Sequence, residues 1–589
     1  MQAIQQALQQ AQLGRLRPAI AALERLTQKK GAPPEAYHFL GMLLAQDGRL
    51  DHALFNLERA CRLAPGRAQF ESNLAGVLAS AGRTGEALAR FESAARIDGS
   101  YAPARIGLAA ALLTLGRLAD AEREAREGWR LDPTNPQGAA NLASALIIPG
   151  RAHEAVDHLR DAIDRLGPGI TLNTLLTAAM NYDARSTPEQ LLDAHRTLGR
   201  LHAGAARAFA DGLPPLKTPD PDARPVRLGF LSADFRDHPV GMFIEPALEP
   251  GLAAGGGVEV FCYDCTGRRD AFSERLRRHG ATWRDGAGLT DAALASLVRT
   301  DGIDVLVELS GHSLGNRQTA LAARMAPVQV SYLGYPATTG NPAIDARLVD
   351  GHSDPDGSAP WCTERLVRLD PCAWCFTAPA DGPGVSASPA GERGPVSFGS
   401  FNNLSKTTPG VLDLWAGLLA RVPGSRLVLK NGAFADEPTR ARIIAELGSR
   451  AVAPERVDAR PPTGDGAAHL RAYADVDIAL DTFPYAGTTT TCEALWMGVP
   501  VVTLAGRLHA GRVGVSLLGA VGQGDLVAQD GASYIEVAAS LAADRARLAG
   551  LRRTLRGRME ASVLMDGGAF RERLHGACVA LVRERGGAR

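Results

Sequence analysis

The densest run of chemistry-bearing residues is Asp481-Thr-Phe-Pro-Tyr-Ala-Gly-Thr-Thr-Thr-Thr-Cys-Glu493. It follows the apolar run 476–480 and leads into the helical pattern Ala494-Leu-Trp-Met. A strand, a glycine turn at Gly487 and hydroxyls opening a helix suit an anion. Free backbone N–H groups and the helix dipole point at it, and Thr488, Thr489, Thr490 and Thr491 add donors. One threonine would cap the helix; four in a row, each a poor helix former, exceed that need. Glu493, in the first or second turn, is placed to reach a sugar hydroxyl.

A second segment, Phe398-Gly-Ser-Phe-Asn-Asn-Leu-Ser-Lys406-Thr-Thr-Pro409, also lies between a strand and a helix. The chain has only five lysines (Lys29, Lys30, Lys217, Lys406 and Lys430) among 64 basic residues. In so arginine-biased a sequence, Lys406 beside Asn402 and Asn403 suggests that an ammonium in particular is wanted, although a solvated surface lysine is an even alternative. Three further strand-end loops carry candidates: Ser232-Ala-Asp-Phe-Arg-Asp-His238, Asp301 through His312, and Leu333-Gly-Tyr335-Pro336. A single loop histidine is usually only a hydrogen-bonding residue, so His238 and His312 are each weak alone. Cys262-x-x-Cys265 and Cys372-x-x-Cys375 form two thiol pairs of the kind that bind zinc. Cys262 falls within an expected core strand and 106 residues separate the pairs, so buried thiols are the better reading.

The elements that must position these residues come in two textures. Gly14-Arg15, Gly48-Arg49, Gly82-Arg83, Gly116-Arg117 and Gly150-Arg151 recur at a constant step of 34. Alanine follows each glycine by five positions (Ala19, Ala53, Ala87, Ala121, Ala155), and a small residue precedes it by seven (Ala7, Gly41, Ala75, Ala109, Ala143). That period, with a glycine turn and small residues where paired helices meet, is the tetratricopeptide signature. Such helix pairs stack into a superhelix that can bind an extended peptide. Asn73 and Asn141 could hold a peptide backbone there, although Phe39 and Gly107 break the ladder and intra-repeat bonding is as good a reading. After about residue 211, Pro214, Pro215, Pro219, Pro221 and Pro225 mark a boundary. Short apolar runs then alternate with helical stretches: Val226–Ser232, 258–263, 303–309 and 328–333, and, beyond the Pro/Gly/Ala/Ser-rich segment 377–395, 396–401, 426–429, 476–480 and 499–504. This predicts two Rossmann-like lobes with a ligand cleft at the strands' carboxyl ends. The expected division is repeats over 1–166, a helical connector and linker over 167–225, a first lobe over 226–390 and a second over 391–589. The last 50 residues are expected as Arg-rich helices packing across both lobes.

Composition bounds the function. The 589 residues carry 64 basic and 64 acidic groups, which argues against a dedicated nucleic-acid binder. Hydrophobic residues at 45% suit packed domains, and no apolar run of about 18 residues suggests a membrane span. The opening Met-Gln-Ala-Ile-Gln-Gln lacks a secretory pattern, and eight cysteines read as reduced thiols, so a cytoplasmic protein is expected.

Together these pieces resemble one family, the tetratricopeptide-bearing protein O-glycosyltransferases, which comprises O-linked N-acetylglucosamine transferase and SPINDLY. The resemblance covers nearly the whole chain and is closest to the SPINDLY branch, through LVELSGH, GYPATTG, FGSFNNLSK, DTFPYAGTTTTCE, GVPVVT and VGVSLL. It implies a GT-B fold after the α superhelix. It also implies an inverting, metal-independent transfer from a nucleotide sugar to Ser or Thr hydroxyls of proteins recruited by the repeats, with no cofactor. On this likeness Lys406 and the helix start at Gly487–Thr491 stabilise the leaving diphosphate. Asn403, His469, Glu493, His312, Tyr335 and Pro336 serve donor binding, Glu493 at the ribose, and either His238 or Asp301 is the base. The N-acetylglucosamine transferases carry Gly-His-Thr-Thr where this chain has Gly487-Thr488-Thr489-Thr490, Gln for Asn403 and Lys for Gly466. Those departures concern donor recognition, and leave UDP-N-acetylglucosamine and GDP-fucose as the two candidate donors.

Overall fold

The computed structural model describes residues 2–220, 222–253, 256–379, 382–391, 393–462 and 464–587. Two compact units emerge, one formed by residues 1–149, 157–167 and 435–439, the other by 150–156, 168–434 and 440–589.

In the first unit the 34-residue period becomes antiparallel helix pairs: Gln2–Gln12 with Leu16–Thr27, Pro34–Gln46 with Leu50–Leu63, Ala68–Ser80 with Thr84–Ile97, and Ala102–Thr114 with Leu118–Leu131. The helix Pro136–Ile147 follows. Each turn glycine takes a left-handed backbone, as at Gly48 with φ of 79°. The next N–H then reaches back to a carbonyl five residues earlier, as from Arg49 to Leu44 at 2.9 Å, and so ends the helix. The small positions lie where the helices touch. Ala53, Ala75, Ala87 and Ala109 are fully buried, and a Cβ on Gly41 would come within 2.6 Å of Leu57.

Asn73 and Asn141 do not form the expected peptide ladder. Asn73 Nδ2 is 2.8 Å from His38 Nε2. Asn141, 5% exposed, donates to the Ile106 carbonyl at 2.8 Å and accepts from Gln137. Both amides bond 35 residues back, into the preceding repeat, and so tie neighbouring repeats together.

The second unit opens with the helices Ile170–Tyr182 and Pro188–Ala210. Its first sheet holds β1 (Val226–Ser232), β2 (Gly251–Ala253), β3 (Gly256–Asp264), β4 (Thr282–Asp285), β5 (Val305–Glu308), β6 (Val328–Ser331), β7 (Ala346–Val349) and β8 (Arg365–Arg368). Among the described residues they run in the order β2-β3-β1-β5-β6-β7-β8, with β4 also on β3, and all pairs are parallel except β2 with β3. The second sheet holds β9 (Ser397–Ser400), β10 (Arg426–Lys430), β11 (Val457–Arg460), β12 (Ile478–Leu480), β13 (Val501–Leu504) and β14 (Val527–Ala528), all parallel in the order β11-β10-β9-β12-β13-β14. β5, β6, β7 and β9 are buried at every position, as parallel strands covered on both faces must be. Each lobe has its own core, and the final helices cross between them. Arg545–Glu560 lies on the second lobe, where Arg552 donates to the carbonyls of Ser386, Val476 and Tyr473. In the last helix, Phe570, Leu574, Cys578 and Val582 join the first-lobe core with Leu228 and Phe230. That helix therefore belongs in space to the first lobe and not to the 391–589 segment that contains it.

Candidate functional site

The loop after β12 is built around its own first residue. The Asp481 carboxylate, 1% exposed, accepts the N–H groups of Thr482 at 2.8 Å and Gly487 at 2.6 Å and the Thr503 hydroxyl at 2.7 Å. Burial raises its pKa, and those hydrogen bonds and Lys406 oppose the rise. Gly487 is required sterically, since a Cβ there would lie 2.6 Å from Thr490 Oγ1 and 2.9 Å from Asn402 Oδ1. The turn then opens the helix Thr489–Trp496, whose first amides precede its bond from Cys492 N–H to Thr488 O. These amides have no acceptor within the helix.

Lys406 comes to this turn from the other side. β9 delivers Phe401, Asn402 and Asn403, a short turn carries Lys406, and Thr408 caps the helix Pro409–Arg421. Lys406 Nζ donates to the Ala486 carbonyl at 2.8 Å and stands 4.0 Å over the Tyr485 ring. Burial lowers its pKa to about 8, while the Asp481 charge opposes that shift. Tyr182, the last residue of its helix, stacks on Tyr485 with centroids 5.3 Å apart and planes at 15°. The ammonium and the threonine turn thus share one wall of a cleft of about 710 Å³, with Asn402, Asn403, Thr488, Thr489 and Thr490 beside them.

The opposite wall comes from first-lobe strand ends. The loop after β1 supplies Asp234, Arg236 and His238, that after β3 supplies Thr266 and Arg268, and that after β6 supplies Leu333 and Gly334. His238 Nδ1 accepts the Val240 N–H at 3.3 Å and stands 3.7 Å from the Asp234 carboxylate. Burial holds this imidazole below its ordinary value, partly offset by Asp234.

One turn further along the helix Thr489–Trp496, at a residue that does not line that cleft, Glu493 Oε2 meets His469 Nε2 at 2.9 Å. Lys430 Nζ, from the end of β10, approaches His469 Nδ1 at 2.8 Å and also donates to the His469 carbonyl at 3.0 Å. Tyr473 Oη donates to the Thr490 carbonyl at 3.1 Å and so ties this group to the threonine turn.

Several expected site residues lie elsewhere. Asp301 ends the helix Asp291–Asp301 that leads back to the start of β5, so it stands at the strands' amino edge. Its carboxylate is taken up by Tyr263 Oη at 2.8 Å and by both nitrogens of an Arg284 fork at 3.0 Å. A group so placed and so paired cannot serve as the base in the cleft. His312 is 4% exposed, bonded to the Thr339 carbonyl and stacked on His202 at 5.7 Å. Tyr335 turns to His195 at 2.9 Å and Asn181 at 3.3 Å, and Pro336 lines a separate small cavity with Leu191, Leu192 and His509. These three pack the connector helices onto the first lobe. Thr491, 3% exposed, returns its hydroxyl to the Gly487 carbonyl, and the Gly487 N–H is held by Asp481, so neither faces an anion. All eight cysteines are free thiols, and among the described residues no group of three or more His, Cys, Asp or Glu could hold a metal ion.

Sequence reasoning passed over Tyr182, Asp234, Asp481 as the organiser of its loop, and Lys430. Lys430 carried the same signal as Lys406, a rare lysine at a strand's carboxyl end. Tyr182 carried none, because nothing in a helical pattern says that its last residue enters a cleft.

The family model for glycosyl transferase family 41 matches residues 215–372 and 392–574, and tetratricopeptide repeat models match 34–67 and 78–146. The Arabidopsis thaliana protein named "Probable UDP-N-acetylglucosamine--peptide N-acetylglucosaminyltransferase SPINDLY" is 42% identical over 401 residues, 67% of this chain and 43% of that protein. The Arabidopsis protein of the same name ending in SEC is 30% identical over 59% of this chain and 36% of its own length. This chain therefore spans less than half the length of these curated relatives. A solved structure of a mutant O-GlcNAc transferase from Thermobaculum terrenum superposes with a TM-score of 0.78 at 36% identity, covering 88% of this chain and 98% of that one. In that solved structure the two-sheet GT-B arrangement has its counterpart. With the family model covering both lobes and the repeats in front of them, this chain belongs to glycosyl transferase family 41.

Proposed function

We propose that the chain is an inverting, metal-independent protein O-glycosyltransferase. It takes a nucleotide sugar, UDP-N-acetylglucosamine or GDP-fucose, and transfers the sugar to Ser or Thr hydroxyls of proteins that its repeats recruit in the cytoplasm, without a cofactor. The observation that carries this reading is the placement of Lys406 and the Thr488–Thr490 turn on one wall of a cleft whose other wall presents His238. The names of the relatives support the reaction class, and the Lys406 ammonium with the unbonded first amides of the helix Thr489–Trp496 supports an anionic ligand.

In this reading the acceptor oxygen attacks the anomeric carbon from the His238 side. The bond from that carbon to the diphosphate oxygen breaks, and its electron pair stays on the diphosphate. The Lys406 ammonium and the first amides of the helix Thr489–Trp496 meet that charge where it develops, which is where fixed donors help most. The acceptor proton goes to His238 Nε2. For that, Nδ1, which accepts the Val240 N–H and stands 3.7 Å from Asp234, must give up that bond and carry the ring's hydrogen toward Asp234 instead, leaving Nε2 with its lone pair. Asn403 and Thr489 border the diphosphate, and His469 and Glu493 face the nucleoside.

The test is a panel of UDP- and GDP-sugars assayed by released nucleoside diphosphate in the presence of acceptor protein. One donor should be consumed, with label appearing on Ser or Thr. If none of the panel is consumed or bound, the proposal fails and the chain is a repeat scaffold.

A further inference from the structure

Lys430 is a buried cation of the second lobe that the mechanism above leaves without a role. It is 4% exposed, at the last position of β10. Its ammonium has three hydrogens, and three partners surround it: His469 Nδ1 at 2.8 Å, the His469 carbonyl at 3.0 Å, and the face of Phe401 with Nζ 4.4 Å from the ring centroid. No donor remains for a ligand. An ammonium can only donate, so His469 Nδ1 must hold a lone pair and the ring's hydrogen must sit on Nε2. That hydrogen is then given to Glu493 Oε2 at 2.9 Å. Tyr473 Oη, 3.4 Å away, is the other neighbour of the same oxygen. Oε1 of Glu493 has no protein partner among the described bonds and remains as an acceptor.

Resting on the proposed nucleotide-sugar reading, we infer that Lys430 is a positioning residue that fixes the His469 tautomer, and through it the orientation of the Glu493 carboxylate that receives the nucleoside. It touches no reacting atom. Burial lowers its pKa to about 8, with the Glu493 charge opposing and the Arg460 charge adding to the shift, so at neutral pH it is still mostly the donor that the relay needs. The cleft wall and the relay beyond it then have separate duties. Lys406 and the threonine turn hold the diphosphate, and the Lys430–His469–Glu493 relay holds the nucleoside.

Calorimetry with UDP, GDP and inorganic pyrophosphate on the full chain separates them. Lys430→Met should weaken binding of whichever nucleoside diphosphate the wild type prefers by about tenfold, the loss of one charged hydrogen-bond network, and leave pyrophosphate binding unchanged. Lys430→Arg, also a pure donor, should restore most of the loss. In 15N-histidine spectra, with His469 identified by its absence in His469→Asn, the wild type should show the single Nε2–H tautomer and Lys430→Met a mixture. Equal loss for pyrophosphate and nucleotide, no loss at all, or an unchanged tautomer in Lys430→Met would overturn the inference while leaving the transferase reading intact. A wild type that binds neither nucleotide would instead overturn the transferase reading, and the inference with it.

Discussion

Replacing Lys406 by alanine removes one ammonium and leaves Asp481 buried 1% exposed without its neighbouring charge. Turnover should fall by about 10²–10³, as for loss of a preorganised charge donor, with thermal unfolding still cooperative. Measured kcat under saturating donor checks it. The pH profile of kcat/KM reports the free enzyme. Its acid limb should lie below 6.5, because burial depresses His238, and its basic limb should lie near 8, where Lys406 and Lys430 lose their protons. His238→Ala should abolish the acid limb and lower kcat about 10²–10⁴-fold. At this scale the sequence spoke clearly where a residue type was rare or repeated, as with Lys406 and the four threonines. It spoke less clearly about direction. Thr491 belongs to the same run as Thr489, yet a helix turns successive side chains by about 100°, and its hydroxyl faces inward.

At the scale of elements, the strand-end rule located the site and also explains the errors. A residue before a parallel strand lies at the sheet's opposite edge from one after it, so Asp301, four residues before β5, could have been excluded by its order alone. His312 and Tyr335 do follow strands, and only packing removes them from the cleft. The helix Pro188–Ala210 draws them away, through His195 and His202. No local pattern foretells which side a loop residue will choose. The same contact yields a prediction. A Cβ on Gly199 would stand 1.8 Å from the Gly340 carbonyl oxygen, and one on Gly340, where φ is 66°, would stand 2.0 Å from the His195 carbonyl oxygen. Gly199→Ala should therefore destabilise the second unit by about 1–3 kcal/mol or more, read as a lower urea midpoint with an unchanged slope. Gly204→Ala, with nothing within 4 Å, is the control on the same helix and should leave stability unchanged or slightly raised.

At the scale of the whole molecule, the 34-residue period and the change from helical to alternating texture were legible because each repeats many times, and repetition survives local ambiguity. The return of the last helix to the first lobe was not legible as a domain boundary, since an apolar helical face does not name the core it will join. Global stability should carry the mark of the buried histidines. Burial lowers the pKa of His195 and His202 to about 4 and that of His312 to about 3, against 6.5 in the unfolded chain. The unfolded state therefore binds more protons between about 3 and 6.5. The stability these neutral rings contribute is fully present above 6.5, and is lost as pH falls through that window. Urea midpoints of the second unit, measured from pH 7.5 to 4.5, should fall steadily below 6.5 and be flat above it.

The central claim is that a diphosphate lies between the Lys406 ammonium and the amino end of the helix Thr489–Trp496. A structure of the protein with its preferred nucleoside diphosphate tests this most directly. Phosphate oxygens should lie within hydrogen-bond distance of Lys406 Nζ and of the Thr489 or Thr490 amide, with the ribose toward Glu493. A diphosphate bound elsewhere, or held without Lys406, would contradict the account.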